Sequence, residues 1–564
     1  MLACQAVITA ESCAADPGQG EYTVASYFET FAPGVDWNRL VEWPPDVFAL
    51  ANLVLDHTEG YRFVVAPPSG ERWPPIPDWG AEVRAAARRW RDLEPPALVR
   101  RCWHAVTQHR DVPLAAVRSG AAWDLTSALL TLHAIADETC SALAGRRASD
   151  GSFEARAWAL LRAQGSLARL APARVRIVPK SHFSGGGITI RSLSKYLALL
   201  YESVDVRWGA LAPRHMADRR DYNIVLVPWP LAVSARSFRP APSRLLENMD
   251  LSRYGFFEFA PEPTFDCDLL RALLEDAANK AGRVDAVILP EGAVRPQAIA
   301  CLEGTLAAHG ATFLIAGVHQ PAGGSTLGRN FLHFGVRTDE GWERHEQDKH
   351  HRWCLDEAQI RQYHLARSLP PTRLWWEAIE IRERTLHIID VGGGLTTAPM
   401  VCEDLARLDE VADLVRRIGP SLVVAVLLDG PQLASRWPCR YSSVITDDPG
   451  SVVLTLTSYG MAARCRPPGS RSSRVVAHWN SRSDGLHELE LAPGAAGLLV
   501  SATVEHATLW TADGRCHHEV PRLQLADVQQ LSAPSARSTV RPRAPSAGAG
   551  SAVPRAGRSA KTPR

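Results

Sequence analysis

The sequence predicts a mostly helical region over residues 1–215, an α/β or layered α+β domain over 216–525, and a tail over 526–564. Three observations carry this. Between about residues 80 and 205, apolar residues recur at helical spacing. From Asp221 onward, short apolar runs alternate with helical stretches, the pattern of a layered sheet-and-helix domain. Two of those runs, Ser421 to Leu428 and Ser451 to Ser458, are nearly all apolar, as strands buried on both faces are.

The helical part begins after residues 1–75, a mixed stretch punctuated by Pro44-Pro45, Pro67-Pro68 and Pro74-Pro75. Helices are expected over Ala81–Leu93, Pro96–Gln108, Ala121–Leu143 and Phe153–Leu170, with Trp90, Trp103, Trp123 and Trp158 as core anchors. Gly185 to Gly187 precede a helix expected over Ser192–Leu200. A helix N-terminus there offers free amides to an anion, but the stretch lacks the GxxxxGK[ST] pattern and reads as a plain loop.

In the second part, strands are expected at Tyr222–Val227, Tyr254–Phe259, Ala286–Leu289, Thr312–Val318, Asn330–Val336 and Thr385–Val391, with helices at Leu269–Ala281 and Leu302–His309. The chain ends in Pro, Ala, Ser, Gly and Arg, with seven basic residues and no acidic one after residue 532. Such a tail buries too little apolar surface to order itself. It reads as solvated, with an acidic partner or nucleic acid as the other reading.

Composition narrows the function classes. The chain is 46% hydrophobic and 22% charged, with a formal net charge of +1, so no global field favours nucleic acid or a membrane. Eleven cysteines are scattered without CxxC pairs, which points to mostly free thiols in a reducing cytoplasm. Met1 to Ala15 has no basic start and carries Glu11, which argues against a secretory signal. GxSxG, Walker A, GxGxxG and HExxH are all absent.

Three stretches hold residues that could do chemistry together. Thr396 to Arg407 reads as an apolar strand ending at Cys402, followed by a helix with Leu405, Leu408, Val411 and Leu414 on one face. A cysteine at such a corner projects above the sheet edge beside a helix N-terminus that favours thiolate, although a lone cysteine is usually structural. Asp285 to Ala293 is a strand broken by Pro290 and followed at once by Glu291, a carboxylate placed to act as a base. His345 to Glu357 carries Lys349 among His345, His350 and His351, which lack a second well-spaced partner group for a metal.

Leu289-Pro290-Glu291, Asp348-Lys349-His350 and Val401-Cys402-Glu403-Asp404, in that order and 58 then 53 residues apart, resemble the nitrilase (carbon–nitrogen hydrolase) superfamily. The resemblance covers roughly residues 220–515. It implies a nitrilase-like αββα sandwich, a Glu-Lys-Cys triad, no cofactor and no metal. The family pairs through its helical faces, which implies a homodimer or higher homo-oligomer. The resemblance also implies that Glu357, eight residues after Lys349, fixes the lysine and the substrate, and that the backbone N–H of Glu403 helps to hold an oxyanion. Loop residues Trp353, Tyr363, Arg436 and Trp437 are candidates for the cleft wall. Val444-Ile-Thr-Asp-Asp-Pro-Gly stands where the family has an Ala-x-Glu-like signature.

The run from Arg191 to Leu231, with Asp429 to Tyr459, also looks like the nitrilase modules linked to bacterial reverse transcriptases in phage defence. The chain has no Tyr-x-Asp-Asp box, because Thr446-Asp-Asp lacks the tyrosine. The expected activity is hydrolysis of a non-peptide amide, nitrile or related C–N bond through a Cys402 thioester. Three alternatives stay open: a silent interaction module in an antiviral system, an acyl-transferring relative, and a nucleotide or nucleic-acid binder.

Overall fold

The computed structural model describes residues 22–532 apart from 144–152, 184–186, 202–203, 210–215, 217–218, 242–249, 251, 263, 323–326, 408–410 and 467–471. Of the tail expected over 526–564, residues up to Leu531 belong to a strand and only 533–564 lie outside the described residues, as do Gly185, Gly186 and Leu408.

Two seven-stranded sheets form the centre of the second part. The first runs in the order Gly341–Asp348, Arg329–Thr338, Phe313–Gln320, Ala286–Val294, Asp221–Leu226, Gly497–Trp510, Cys516–Leu531. The second runs Gly485–Glu490, Val475–Ser481, Val452–Thr457, Leu422–Leu427, Leu395–Val401, Thr385–Gly392, Asp205–Trp208. Each has a parallel centre: Asp221–Leu226, Ala286–Val294 and Phe313–Gln320 in one, and Leu395–Val401, Leu422–Leu427 and Val452–Thr457 in the other.

Side-chain alternation along the strands sorts the layers. Ile224, Leu226, Ile288, Ile315 and Phe334 of the first sheet meet Val401, Val424, Val426, Leu454 and Trp479 of the second in one apolar core. The intervening residues Val225, Val287 and Leu314 face outward and pack on Leu270, Leu273, Leu302 and Leu306 of helices Cys267–Ala281 and Ile299–Ala308. On the far side, Ala398, Met400, Val423 and Ala425 pack on Leu414, Val415 and Ile418 of helix Asp413–Ile418. The layering is therefore helix, sheet, sheet, helix.

The N-terminal helices join this last layer. Val47, Leu50 and Val54 of Pro44–His57 and Leu129, Leu132 and Ile135 of Trp123–Thr139 belong to the same continuous core as the outer face of the second sheet. Strand Asp205–Trp208, inside the region read as helical, pairs in parallel with Thr385–Gly392. At the other end, Cys516–Leu531 continues past residue 525.

Three expectations are corrected. Residues 192–200 are not one helix: a short turn at Ile190–Leu193 is followed by the strand Leu197–Leu200, which pairs with Arg176–Pro179. The helix after Cys402 is split into a 3-10 turn, Cys402–Leu405, and a helix, Asp413–Ile418. Residues before 75 include three helices, Val24–Phe31, Trp37–Leu40 and Pro44–His57, the last begun by the proline pair that had read as punctuation. Proline suits the first helical turn, where its missing N–H is not needed. Among the described residues, no helix is long and apolar enough to cross a membrane.

Candidate functional site

Strands of both sheets bring Glu291, Lys349 and Cys402 together. Strands Leu395–Val401 and Leu422–Leu427 run side by side, with Val401 opposite Val426, so Cys402 and Leu428 leave the sheet at neighbouring points. Cys402 has φ +43°, in the left-handed region. A non-glycine residue held there stores of order 1–3 kcal/mol and needs its surroundings to enforce it. The turn stops the strand and starts the 3-10 turn within a single residue.

Glu291 lies within the long strand Ala286–Val294, past a break in its pairing with Phe313–Gln320 between Leu289 and Val294. The side chains of Glu291 and Lys349 are fully buried, and Cys402 is buried with them. The Lys349 Nζ donates to Glu291 Oε1 at 2.7 Å and to Glu377 Oε2 at 2.7 Å. Asn330 Nδ2 donates to Glu291 Oε1 and to Glu377 Oε1, each at 2.6 Å. The backbone N–H of Leu428 donates to Glu291 Oε2 at 2.7 Å.

The expected partner of Lys349 is corrected. Glu357 stands on the short helix Glu357–Gln362, largely exposed, and pairs with Arg361 one turn on. Glu377, at the end of strand Leu374–Glu377, takes its place. Nothing in the local sequence marks Glu377 or Asn330. They reach the site through pairings distant in sequence: the Glu377 strand lies against Tyr254–Phe259, and Asn330 accepts the Lys349 backbone N–H through its carbonyl at 2.9 Å.

Burial sets the electrostatics. It pushes the Cys402 thiol well above its ordinary pKa, and the Glu291 charge adds to this while Lys349 opposes it. Burial also raises Glu291, with Lys349 pulling the other way and Glu377 adding to the rise. For Lys349, burial favours the neutral amine, but Glu291 and Glu377 outweigh it and hold the ammonium well above the usual lysine range. Burial thus keeps the Cys402 thiol protonated beside Glu291 and a fixed ammonium.

Neighbouring contacts lock the geometry. Asp404, two residues after Cys402, accepts from the backbone N–H of His350 and pairs with His351 Nδ1 at 3.0 Å, tying the lysine loop to the cysteine turn. Gln347 donates to the Pro399 carbonyl and accepts from the His387 N–H, bridging the two sheets behind the site. The three histidines diverge: His345 stacks on Phe334, His350 Nε2 meets the Thr385 carbonyl, and His351 meets Asp404. Among the described residues, no group of three or more His, Cys, Asp or Glu side chains could hold a metal ion.

Of the wall candidates, Trp353 and Tyr363 pack edge to face in an aromatic cluster that includes Leu428. Arg436 Nη2 donates to Asp429 Oδ1 at 2.6 Å, and the Tyr363 hydroxyl donates to the same oxygen. Trp437 instead begins the helix Trp437–Asp447 and packs on Tyr441.

No protein-family model matches the sequence, and no curated protein matches it. Among solved structures, the chain is similar to a CN-hydrolase superfamily protein from Xanthomonas campestris that carries an arsenic adduct in its active site. The identity is 18% and the TM-score 0.26, over 56% of this chain and 92% of that one. It is also similar to a Saccharomyces cerevisiae member of branch 10 of the nitrilase superfamily, at 10% identity and TM-score 0.29, over 56% and 93%. A third similar structure is a Nesterenkonia amidase with the acetamide moiety of fluoroacetamide added covalently at its active-site cysteine. There the identity is 13% and the TM-score 0.27, over 57% and 93%.

Proposed function

We propose that the chain is a carbon–nitrogen hydrolase of the nitrilase type, cleaving a non-peptide amide, nitrile or related C–N bond through a thioester on Cys402. The observation that carries this reading is the buried contact of Lys349 with Glu291 and Glu377 beside a cysteine held at positive φ.

The chemistry follows from the residue types. An amide or nitrile carbon is a poor electrophile, and a neutral thiol is a poor nucleophile. Glu291 takes the Cys402 proton as sulfur attacks. Negative charge develops on the substrate oxygen or nitrogen. Two of the three Lys349 N–H bonds are committed to carboxylates, which leaves the third to meet that charge, together with the Glu403 backbone N–H. Such donors are worth about 3–4 kcal/mol each. From an amide, Glu291 returns its proton to the leaving nitrogen, which departs as ammonia or an amine. Water then attacks the thioester, Glu291 takes its proton, and the acid is released as the thiol reforms. Glu377 keeps Lys349 charged and in place throughout.

The test is ammonia release from a panel of small amides, ureas and nitriles. Cys402→Ala removes turnover while melting as the parent does. Full turnover in a folded Cys402→Ala protein would end this reading.

A further inference from the structure

We propose that Asn330 is the positioning residue that assigns the base: it saturates Glu291 Oε1, so that Oε2 receives the Cys402 proton. This rests on the hydrolase reading above and goes beyond it in naming the oxygen and the residue that selects it.

Glu291 Oε1 accepts two short bonds, from Lys349 Nζ at 2.7 Å and from Asn330 Nδ2 at 2.6 Å. Oε2 accepts one, from the Leu428 N–H. Glu291 and Glu377 share one ammonium in a buried site, and the Glu377 charge acts against charge on Glu291. The Asn330 amide spends one N–H on each of them, acting as a neutral clamp between like charges. The amide orientation is dictated by these partners, because the flipped rotamer would set its oxygen 2.6 Å from two carboxylate oxygens. Asn330 is itself buried, and its carbonyl accepts the Lys349 N–H, so one residue ties the base, the second glutamate and the lysine backbone together.

Loss of those bonds favours the protonated form of Glu291. The other charged or titratable groups facing the pair are Lys349, Cys402, Glu403, Asp429, His319 and Arg352. His319 is held down to about 4 by burial and stays neutral above that, so it does not mimic the effect.

The experiment measures the rate of Cys402 alkylation by iodoacetamide from pH 4.5 to 9 (about the span between ordinary carboxylate and thiol values). The site is read by peptide mass, in the parent, Asn330→Ala, Asn330→Ser and Glu291→Gln. The parent should lose rate on the acid side as Glu291 protonates, and Glu291→Gln should be slow throughout. Asn330→Ala should move the acid limb to higher pH by about one unit, roughly tenfold in rate at a fixed acidic pH, with the alkaline plateau kept. Asn330→Ser retains one donor and should move it by less; it carries the test if the alanine variant fails to fold. An unmoved limb, or an equal loss at every pH, overturns the Asn330 assignment and leaves the hydrolase reading standing. An inert Cys402 in the parent, or Glu291→Gln alkylating as the parent does, overturns both.

Discussion

At the scale of single residues, the site turns on which glutamate serves Lys349. Glu377 is buried against Lys349 and accepts the Trp353 N–H as well, whereas Glu357 points to solvent. Glu377→Gln should cut kcat/KM by about a hundredfold or more, of the order seen when a charge-stabilising donor is lost. Glu357→Gln should leave it within about twofold, as befits an exposed ion pair. Steady-state kinetics on any substrate the protein turns over separates the two. Under the proposed mechanism the acid limb of kcat/KM should belong to Glu291. Burial raises its pKa, so activity should fall as pH drops through a value above the usual glutamate range, and Glu291→Asp should move that limb. That Glu291, Lys349 and Cys402 lie together was legible because each sits in a local strand-end motif. Glu377 and Asn330 were not, because a buried carboxylate and a clamp amide are defined by what reaches them across the fold. Glu357 misled by having the right residue type at a suggestive spacing.

At the scale of elements, the strands that carry the site are fixed by close backbone contacts. Gly317 lies in strand Phe313–Gln320 against the break in the Glu291 strand, and a Cβ there would strike the Pro290 carbonyl and the Glu291 Cα, with the Glu291 N at 2.8 Å. The obstacle is backbone and cannot swing aside. Gly317→Ala should therefore displace Glu291 and lose most activity, and Cys402 alkylation should slow in parallel. Normal alkylation in that variant would contradict the placement. Most strands of the second part were readable from continuous apolar runs, since both faces of each sheet are covered. The strand at Leu197–Leu200 was read as helix because Leu-Ala-Leu-Leu favours helix locally; pairing with Arg176–Pro179 overrides that preference. Strands Val475–Ser481, Gly485–Glu490 and the long hairpin Gly497–Trp510 with Cys516–Leu531 carry many polar residues on one face and were not read as strands.

At the scale of the whole molecule, the N-terminal helices are part of the second sheet's core and are fastened at a distance by the tip of that hairpin. Arg515 has no exposed side-chain surface. It bonds Asp137 at 3.0 Å, Asp513 at 2.9 Å and the Ala134 carbonyl at 3.1 Å, while Asp137 also accepts the backbone N–H groups of Lys195, Tyr196 and Leu197. Arg515→Met strands these carboxylates and should cost about 3–5 kcal/mol, the usual penalty for breaking a buried pair, read by urea unfolding. Burial opposes ionisation of Asp137, but the Arg515 charge, the Lys195 and Tyr196 N–H groups and His133 outweigh it and depress its pKa. Its contribution is therefore present above the unfolded value of about 3.9 and is lost as pH falls through the lower folded value. Acid unfolding of the parent should be steep between those two values and less so in Arg515→Met. The same packing covers the outer face of the second sheet within one chain.

The most direct measurement is the intact mass of the protein after brief exposure to pooled amides, ureas and nitriles, quenched in acid, beside Cys402→Ala. The account predicts a mass gain equal to one acyl group on the parent, located at Cys402 and absent from the variant. No adduct under any substrate, with Cys402 also slow toward iodoacetamide, would contradict it and turn attention to the N-terminal helices as the working part.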